Sequence, residues 1–189
     1  MGEMKRLAFI GSGTMAEAMI KIATEAKVAV PQRIVASGPR EERGQELRAR
    51  YGVATCTDNR QALTVDGGDV DVIVLSVKPQ VLPTVLNELR GAIPSPALAL
   101  SIVAGVNTNT ITQSLAHAAV VRAMPNTPAQ IGQGMTVWTA TPVVSDRQRG
   151  WASDILRAMG EEVYVKDETQ LDMATAVSGT GPTYVFLMM

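Results

Sequence analysis

Leu7-Ala8-Phe9-Ile10-Gly11-Ser12-Gly13-Thr14-Met15-Ala16 is the stretch that decides the fold. An apolar strand runs into Gly-x-Gly-x-x-Ala, and Glu17, Ala18, Met19, Ile20, Ile22 and Ala23 follow in a helical pattern. This is the strand–turn–helix context in which a dinucleotide fingerprint has a mechanism. Gly11 permits the tight turn, Gly13 lets backbone approach a pyrophosphate, and Ala16 still allows close helix–strand packing. The phosphates would sit on the free N–H groups of the helix N-terminus, where the dipole favours negative charge. The competing reading is a Gly-rich βα turn without a ligand.

Outward from this turn the chain alternates. Strands are predicted at 6–10, 33–36, 53–56, 72–77, 97–102 and 119–123, with helices at about 14–26, 40–50, 79–90 and 108–116. Several strands are continuous apolar runs, as parallel strands covered on both faces require. Pro79 is expected near a helix start, where a missing N–H costs little. The alternation implies βαβ units in a doubly wound, mostly parallel α/β sheet of Rossmann type. A dinucleotide-binding domain is expected over 1–166, and the start of a C-terminal helical domain over 167–189.

After Ala123 the pattern changes. Met124-Pro125-Asn126-Thr127-Pro128 reads as a stiff turn with two prolines fixing φ. A strand is expected at 134–139, a helix capped by Ser145 to about Ala158, and a strand at 162–165, antiparallel at the sheet edge. A final helix from Asp167 carries Leu171, Ala174 and Val177 at helical spacing. Ser178-Gly179-Thr180-Gly181-Pro182 should kink or break it. The closing run 184–189 is apolar all round and needs a partner surface, which points to a missing next domain or to another chain; the plainer reading is a C-terminal helix docked on this domain.

The 189 residues suffice for one domain with a real core. A net charge of −1 and no basic face argue against nucleic acid as a partner. The longest apolar stretches, 70–77 and 97–106, are too short and interrupted to span a bilayer. A lone cysteine, Cys56, excludes an internal disulfide and fits a reducing cytoplasm. One Cys and one His make a transition-metal site an unsupported expectation.

The second predicted strand ends Val35-Ala36-Ser37-Gly38-Pro39-Arg40. NAD-binding folds place an acid there to hold the ribose hydroxyls. Ser37 stands in its place, with Arg40 beyond and Arg43 one turn later. Ser and Arg can pair with a 2′-phosphate that a carboxylate would repel, which favours NADPH over NADH. Glu41 and Glu42 blunt that field, and a solvated helix face is the plainer account of the arginines.

Taken together, seven segments in order resemble the pyrroline-5-carboxylate reductase family. They are 10–16, 36–40, Asp58-Asn59, Val74-Leu75-Ser76-Val77-Lys78-Pro79-Gln80, Ser101-Ile102-Val103-Ala104-Gly105-Val106, Val121-Arg122-Ala123-Met124-Pro125-Asn126-Thr127-Pro128-Ala129, and Ala176-Val177-Ser178-Gly179-Thr180-Gly181-Pro182-Thr183-Tyr184. The resemblance implies hydride transfer from NADPH or NADH to the C=N bond of pyrroline-5-carboxylate, giving L-proline. It implies that Ser12, Thr14 and Met15 line the pyrophosphate turn, that Ser37 and Arg40 meet the adenosine phosphate, and that Asn59 meets the adenosine ribose. Val77, Lys78 and Pro79, with Ala104 and Gly105, would line the nicotinamide half. Lys78 is expected to bond a ribose rather than move a proton, and no residue is assigned a catalytic role. Asn126 would either shape the imine pocket or hold a turn, and Ser178, Gly179 and Thr180 would face the substrate. A protonated cyclic imine accepts hydride without a strong acid beside it, so positioning carries the catalysis.

The chain departs from the family at Thr14 and Ala16, where Asn and Gly are usual, and at Thr180 and Thr183, where Ser and Ala are usual. It also lacks the later helical domain that interlocks into a dimer and carries a Ser-Pro-Gly-Gly-Thr-type loop. The cofactor site is therefore expected to be largely present and the imine site incomplete, with poor turnover; a homo-oligomer is expected when that domain is complete, and the bare surface of 184–189 suggests self-association. Three alternatives stay open: a β-hydroxyacid-dehydrogenase type, an F420-dependent NADP reductase, and a non-catalytic NADP-binding module. His117 is expected to be an exposed helix-end residue, Cys56 a small buried hydrophobe, and Trp138 and Trp151 packing residues.

Overall fold

The computed structural model describes residues 6–179. Its first half comprises β1 (Leu7–Ile10), α1 (Thr14–Glu25), β2 (Ile34–Ser37), α2 (Glu41–Tyr51) and β3 (Ala54–Cys56). A small antiparallel hairpin, β4 (Thr64–Val65) and β5 (Gly68–Asp69), precedes β6 (Val72–Leu75) and α3 (Leu82–Leu89). Then come β7 (Leu98–Ser101), α4 (Thr108–Leu115), β8 (Val120–Met124), β9 (Gly134–Ala140), α5 (Asp146–Ala158), β10 (Gly160–Tyr164) and α6 (Thr169–Ala174).

Eight strands form one sheet in the order β10-β9-β8-β7-β6-β1-β2-β3. All neighbours are parallel except β8 and β9. Strand order reverses at β1, which pairs with β2 on one side and β6 on the other. That is where a doubly wound sheet opens its ligand crevice.

Alternation along each strand feeds two cores. Leu7, Phe9, Ala36, Val72, Val74, Leu98 and Leu100 face the layer built by α1, α2 and α5, with Met19, Ile20, Leu47, Trp151 and Ile155. Ala8, Ile10, Val35, Ile73, Leu75 and Ala99 face α3 and α4, with Leu82, Val85, Leu86, Leu89, Ile111 and Leu115. Both sheet faces are covered, so the central strands show no polar alternation. Each fully buried large side chain, such as Phe9 or Leu89, contributes about 1.5–3 kcal/mol. Trp138 and Trp151 are buried packing residues, as expected.

Several expectations need correction. The last strand is parallel to β9, and the antiparallel step lies between β8 and β9 instead. A 3-10 turn at Thr127–Ile131 reverses the chain after β8. The helical crossover α5 then brings β10 back parallel. The helix expected from Pro79 starts at Leu82, and Pro83 takes the N-terminal proline position in place of Pro79. Ser145 caps α5 in a full capping box with Gln148.

α6 is short and buries Leu171. It widens into a π-helical turn at Thr175–Gly179, which takes in Ser178 and Gly179 of the expected break, and Val177 is exposed rather than packed. His117 is buried, with Nε2 2.9 Å from the Ala97 carbonyl. A carbonyl only accepts, so that nitrogen carries the proton. The chain leaves α4 through a left-handed Ala116, which turns the next residue inward rather than to solvent. Cys56 is only half-buried. The apolar run 184–189 lies outside the described residues.

Candidate functional site

The carboxyl ends of β1, β2 and β6 are stitched together by their own backbone. The Gly11 amide donates to Ser37 O at 3.0 Å, and the Ser76 amide donates to Ile10 O at 2.9 Å. Ser76 Oγ donates to the Gly11 carbonyl at 3.0 Å. Gly11 has φ +106°, and a Cβ there would stand 2.8 Å from Ser76 O. Only glycine lets the turn lie this close to β6.

Gly13 is different. It is the N-cap of α1 at an ordinary φ of −76°, and a Cβ built there meets nothing within 4 Å. Nothing inside the protein requires glycine at this position. The first helical bond of α1 runs from the Glu17 amide to Gly13 O, and no side chain caps the helix. The amides of Thr14, Met15 and Ala16 precede that bond and remain available. By contrast, α4 and α5 are capped by Asn107 and Ser145. An open cradle above an uncapped helix fits a pyrophosphate.

Two clefts border this turn. One, of about 430 Å³, is lined by Gly11, Gly38, Pro39, Asp58, Asn59, Val77 and Glu88. The other, of about 600 Å³, is lined by Gly13, Thr14, Arg40, Arg43 and Lys78, with three glutamates. Among the described residues, the side chains of Arg40 and Lys78 have neither an ion pair nor a hydrogen bond, and both are exposed. They are the cations at the rim that remain free for an anion.

Arg43 is not. It pairs with Glu17 and with Glu46, the latter at 2.7 Å, and donates to Ser12 O at 3.1 Å. It therefore fastens α2 to α1 and steadies the turn, which corrects its pairing with Arg40 as a phosphate ligand. Burial pulls the Glu17 carboxyl upward, but hydrogen bonds from Arg43 and Tyr51, with the charges of Arg43 and Arg50, hold it below the usual carboxylate range.

Ser37 is fully buried, and its hydroxyl donates to Asn59 Oδ1 at 2.7 Å. Rather than standing exposed to a phosphate as expected, Ser37 turns inward at the end of β2, and Pro39 and Arg40 are the exposed residues beyond it. Asn59 lines the first cleft and donates to Glu88 at 2.6 Å. Val77, Lys78 and Pro79 follow β6, while Ala104 and Gly105 follow β7, with Gly105 at φ +75° and open space beside it. Asn126 Oδ1 accepts the Met135 amide at 2.9 Å, so its oxygen anchors the start of β9. Ser178 and Gly179 sit in the turn after α6, and Thr180 lies outside the described residues.

Sequence reasoning missed Glu88, which looks like an ordinary solvated residue of α3. It also gave no role to Arg122, although a charge inside the apolar run of β8 signals a buried cation that must be paired. Arg122 meets Glu168 and Asp172 at 3.1 and 2.8 Å.

Residues 6–105 match the family model described as NADP oxidoreductase coenzyme F420-dependent. The pyrroline-5-carboxylate reductase of Synechocystis sp. is 40% identical over 97% of this chain and 67% of its own length. Among solved structures, the pyrroline-5-carboxylate reductase of Coxiella burnetii superposes with a TM-score of 0.90 at 34% identity, covering 99% of this chain and 68% of that one. The Plasmodium falciparum pyrroline carboxylate reductase, solved with NADP bound, gives a TM-score of 0.82 at 26% identity over 97% of this chain and 65% of that one. The chain thus spans about two thirds of the length of these relatives.

Proposed function

This chain belongs to the pyrroline-5-carboxylate reductase family, and on that premise we propose that it binds NADPH and reduces the C=N bond of pyrroline-5-carboxylate to give L-proline. The observation that carries the reading is the open Gly13 cradle at the strand-order reversal, on a helix whose first amides are uncapped. When bound, NADPH supplies the hydride.

The chain's own residues bind and orient. Thr14 and Met15, with Ser12 in the turn, hold the pyrophosphate through backbone N–H groups. Arg40 pairs with the 2′-phosphate from the open rim, and Ser37 acts through Asn59 rather than directly. Asn59, fixed by Glu88, presents its amide to the adenosine ribose. Val77, Pro79, Ala104 and Gly105 form the apolar walls of the nicotinamide half. Lys78 bonds a ribose hydroxyl or steers the substrate carboxylate. Ser178, Gly179 and Thr180 are assigned as contacts of the imine substrate, while Asn126 holds the turn after β8.

In this reading residues 1–166 are the dinucleotide-binding unit and 167–189 begin a helical domain through which copies associate. The partner is a small imine, and the lone cysteine suits a cytoplasmic setting. No helix among the described residues is long and apolar enough to cross a membrane.

The test is NADPH oxidation with pyrroline-5-carboxylate as the acceptor. A rate that depends on the imine supports the assignment. Oxidation only with a deazaflavin acceptor would favour the F420-type reading that the match over 6–105 also admits.

A further inference from the structure

Arg122 lies on β8 with its side chain 4% exposed. Its guanidinium forks between two carboxylates near the start of α6: Nη1 reaches Glu168 at 3.1 Å and Nη2 reaches Asp172 at 2.8 Å. Glu168 has a second duty. It accepts the Thr108 amide at 2.8 Å and the Thr108 hydroxyl at 2.7 Å. Thr108 opens α4 directly after the Ala104–Asn107 turn. One buried cation therefore joins the turn after β7 to the helix that leads into Thr175–Gly179.

Apolar packing alone holds α6 thinly. Leu171 is its buried residue, while Met173 and Val177 on the same segment are 67% and 76% exposed. Only the guanidinium is buried; Glu168 is 26% and Asp172 68% exposed, so solvent screens the attraction and the pairing adds little net stability, but it does fix geometry. The guanidinium fork addresses two acceptors at set angles, which a lysine cannot reproduce.

We propose that Arg122 is a positioning residue that, through Glu168 and Asp172, sets the spacing between the nicotinamide turn and the imine-facing turn. The proposal rests on the reductase reading for what those two turns hold. It acts through the protein rather than on the reacting atoms, and hydride transfer is steep in distance: a misplacement of about 1 Å can cost about 100-fold.

The test uses the full chain and two readouts. The first is amide hydrogen exchange in Arg122→Lys. Arg122 and Thr108 are linked through Glu168 Oε1, to which both donate, so faster exchange at both the Thr108 amide and residues 170–174, by about tenfold or more, reports the coupling; Asp172→Asn should speed only 170–174. The second readout is kinetic: NADPH Kd should stay within about twofold while kcat/KM for pyrroline-5-carboxylate falls at least about tenfold, a split that general destabilisation would not give. If Arg122→Lys fails to fold, Asp172→Asn, at an exposed carboxylate that does not bond Thr108, takes its place, with faster exchange at 170–174 and the same split between kcat/KM and NADPH Kd expected. Exchange at Thr108 unchanged in folded Arg122→Lys, exchange at 170–174 unchanged in Asp172→Asn, or NADPH affinity falling in step with turnover, overturns the proposal. A parent chain without turnover counts against the reductase reading, and the exchange result still decides this one.

Discussion

Ser37 and Asn59 meet beneath the end of β2, the serine hydroxyl donating to the Asn59 side-chain oxygen at 2.7 Å. The same amide donates to Glu88 at 2.6 Å, so both of its ends are fixed. Asn59→Asp would set a carboxylate against Glu88 and lose that bond. Hydrogen bonds to charged groups contribute about 1.5–3 kcal/mol. We expect NADPH affinity to fall at least about tenfold, read by fluorescence titration; unchanged affinity would remove Asn59 from the site.

Arg40 tests the 2′-phosphate assignment. It is exposed and lacks an ion pair among the described residues, so Arg40→Ala should leave the melting temperature nearly unchanged. NADPH binding should weaken about tenfold at low salt and less at high salt, with NADH binding unaffected. Equal losses for both cofactors would count against Arg40 as the phosphate ligand.

Gly11 and Gly13 should behave oppositely. Gly11→Ala places a Cβ 2.8 Å from Ser76 O at φ +106° and should destabilise the fold by about 1–3 kcal/mol. Gly13→Ala meets no protein atom within 4 Å, so stability should change by less than about 1 kcal/mol. Its methyl should nonetheless cost NADPH affinity. Thermal melts with and without cofactor separate the two effects.

His117 should produce an acid-side loss of stability. Burial holds its imidazole below the ordinary range, with the Ala97 carbonyl pulling the other way. Above about pH 6.5 both folded and unfolded forms are neutral and the group contributes no slope. As pH falls below that value the unfolded chain takes up the proton first, so stability falls by at most about 1.4 kcal/mol per pH unit until the folded imidazole protonates. His117 is the only histidine of the chain, so denaturation midpoints between pH 7 and 5 in His117→Gln should lose this limb.

Glu17 acts in a lower window. Its lowered value, set by Arg43 and Tyr51 against burial, gives stability that is present above about pH 4.3 and lost as pH falls toward the folded value. Glu17→Gln should be less stable than wild type at pH 6, with the difference narrowing below pH 4. A constant difference across that range would contradict the linkage.

The strand runs and the Gly11–Ala16 turn were legible because two-sided burial writes a continuous apolar signal and the turn demands special residues. The direction of β10 was legible too, because the helix read between its strand and the one before makes a crossover that returns the chain parallel; the antiparallel step falls between β8 and β9, which only a short turn joins. Arg40 was readable as a cation beyond β2, whereas the engagement of Arg43 with Glu17 depends on how α1 and α2 meet in space. Likewise, His117 looked like a solvated helix end, and the left-handed Ala116 that turns the chain there leaves no mark in composition.

The central claim is that this fold directs hydride to the imine carbon. NADPH dideuterated at nicotinamide C4, incubated with the chain and pyrroline-5-carboxylate, tests it most directly by mass and NMR analysis of the product. The account predicts L-proline with one deuterium at C5. Proline without deuterium, or no proline above the enzyme-free blank, would contradict it.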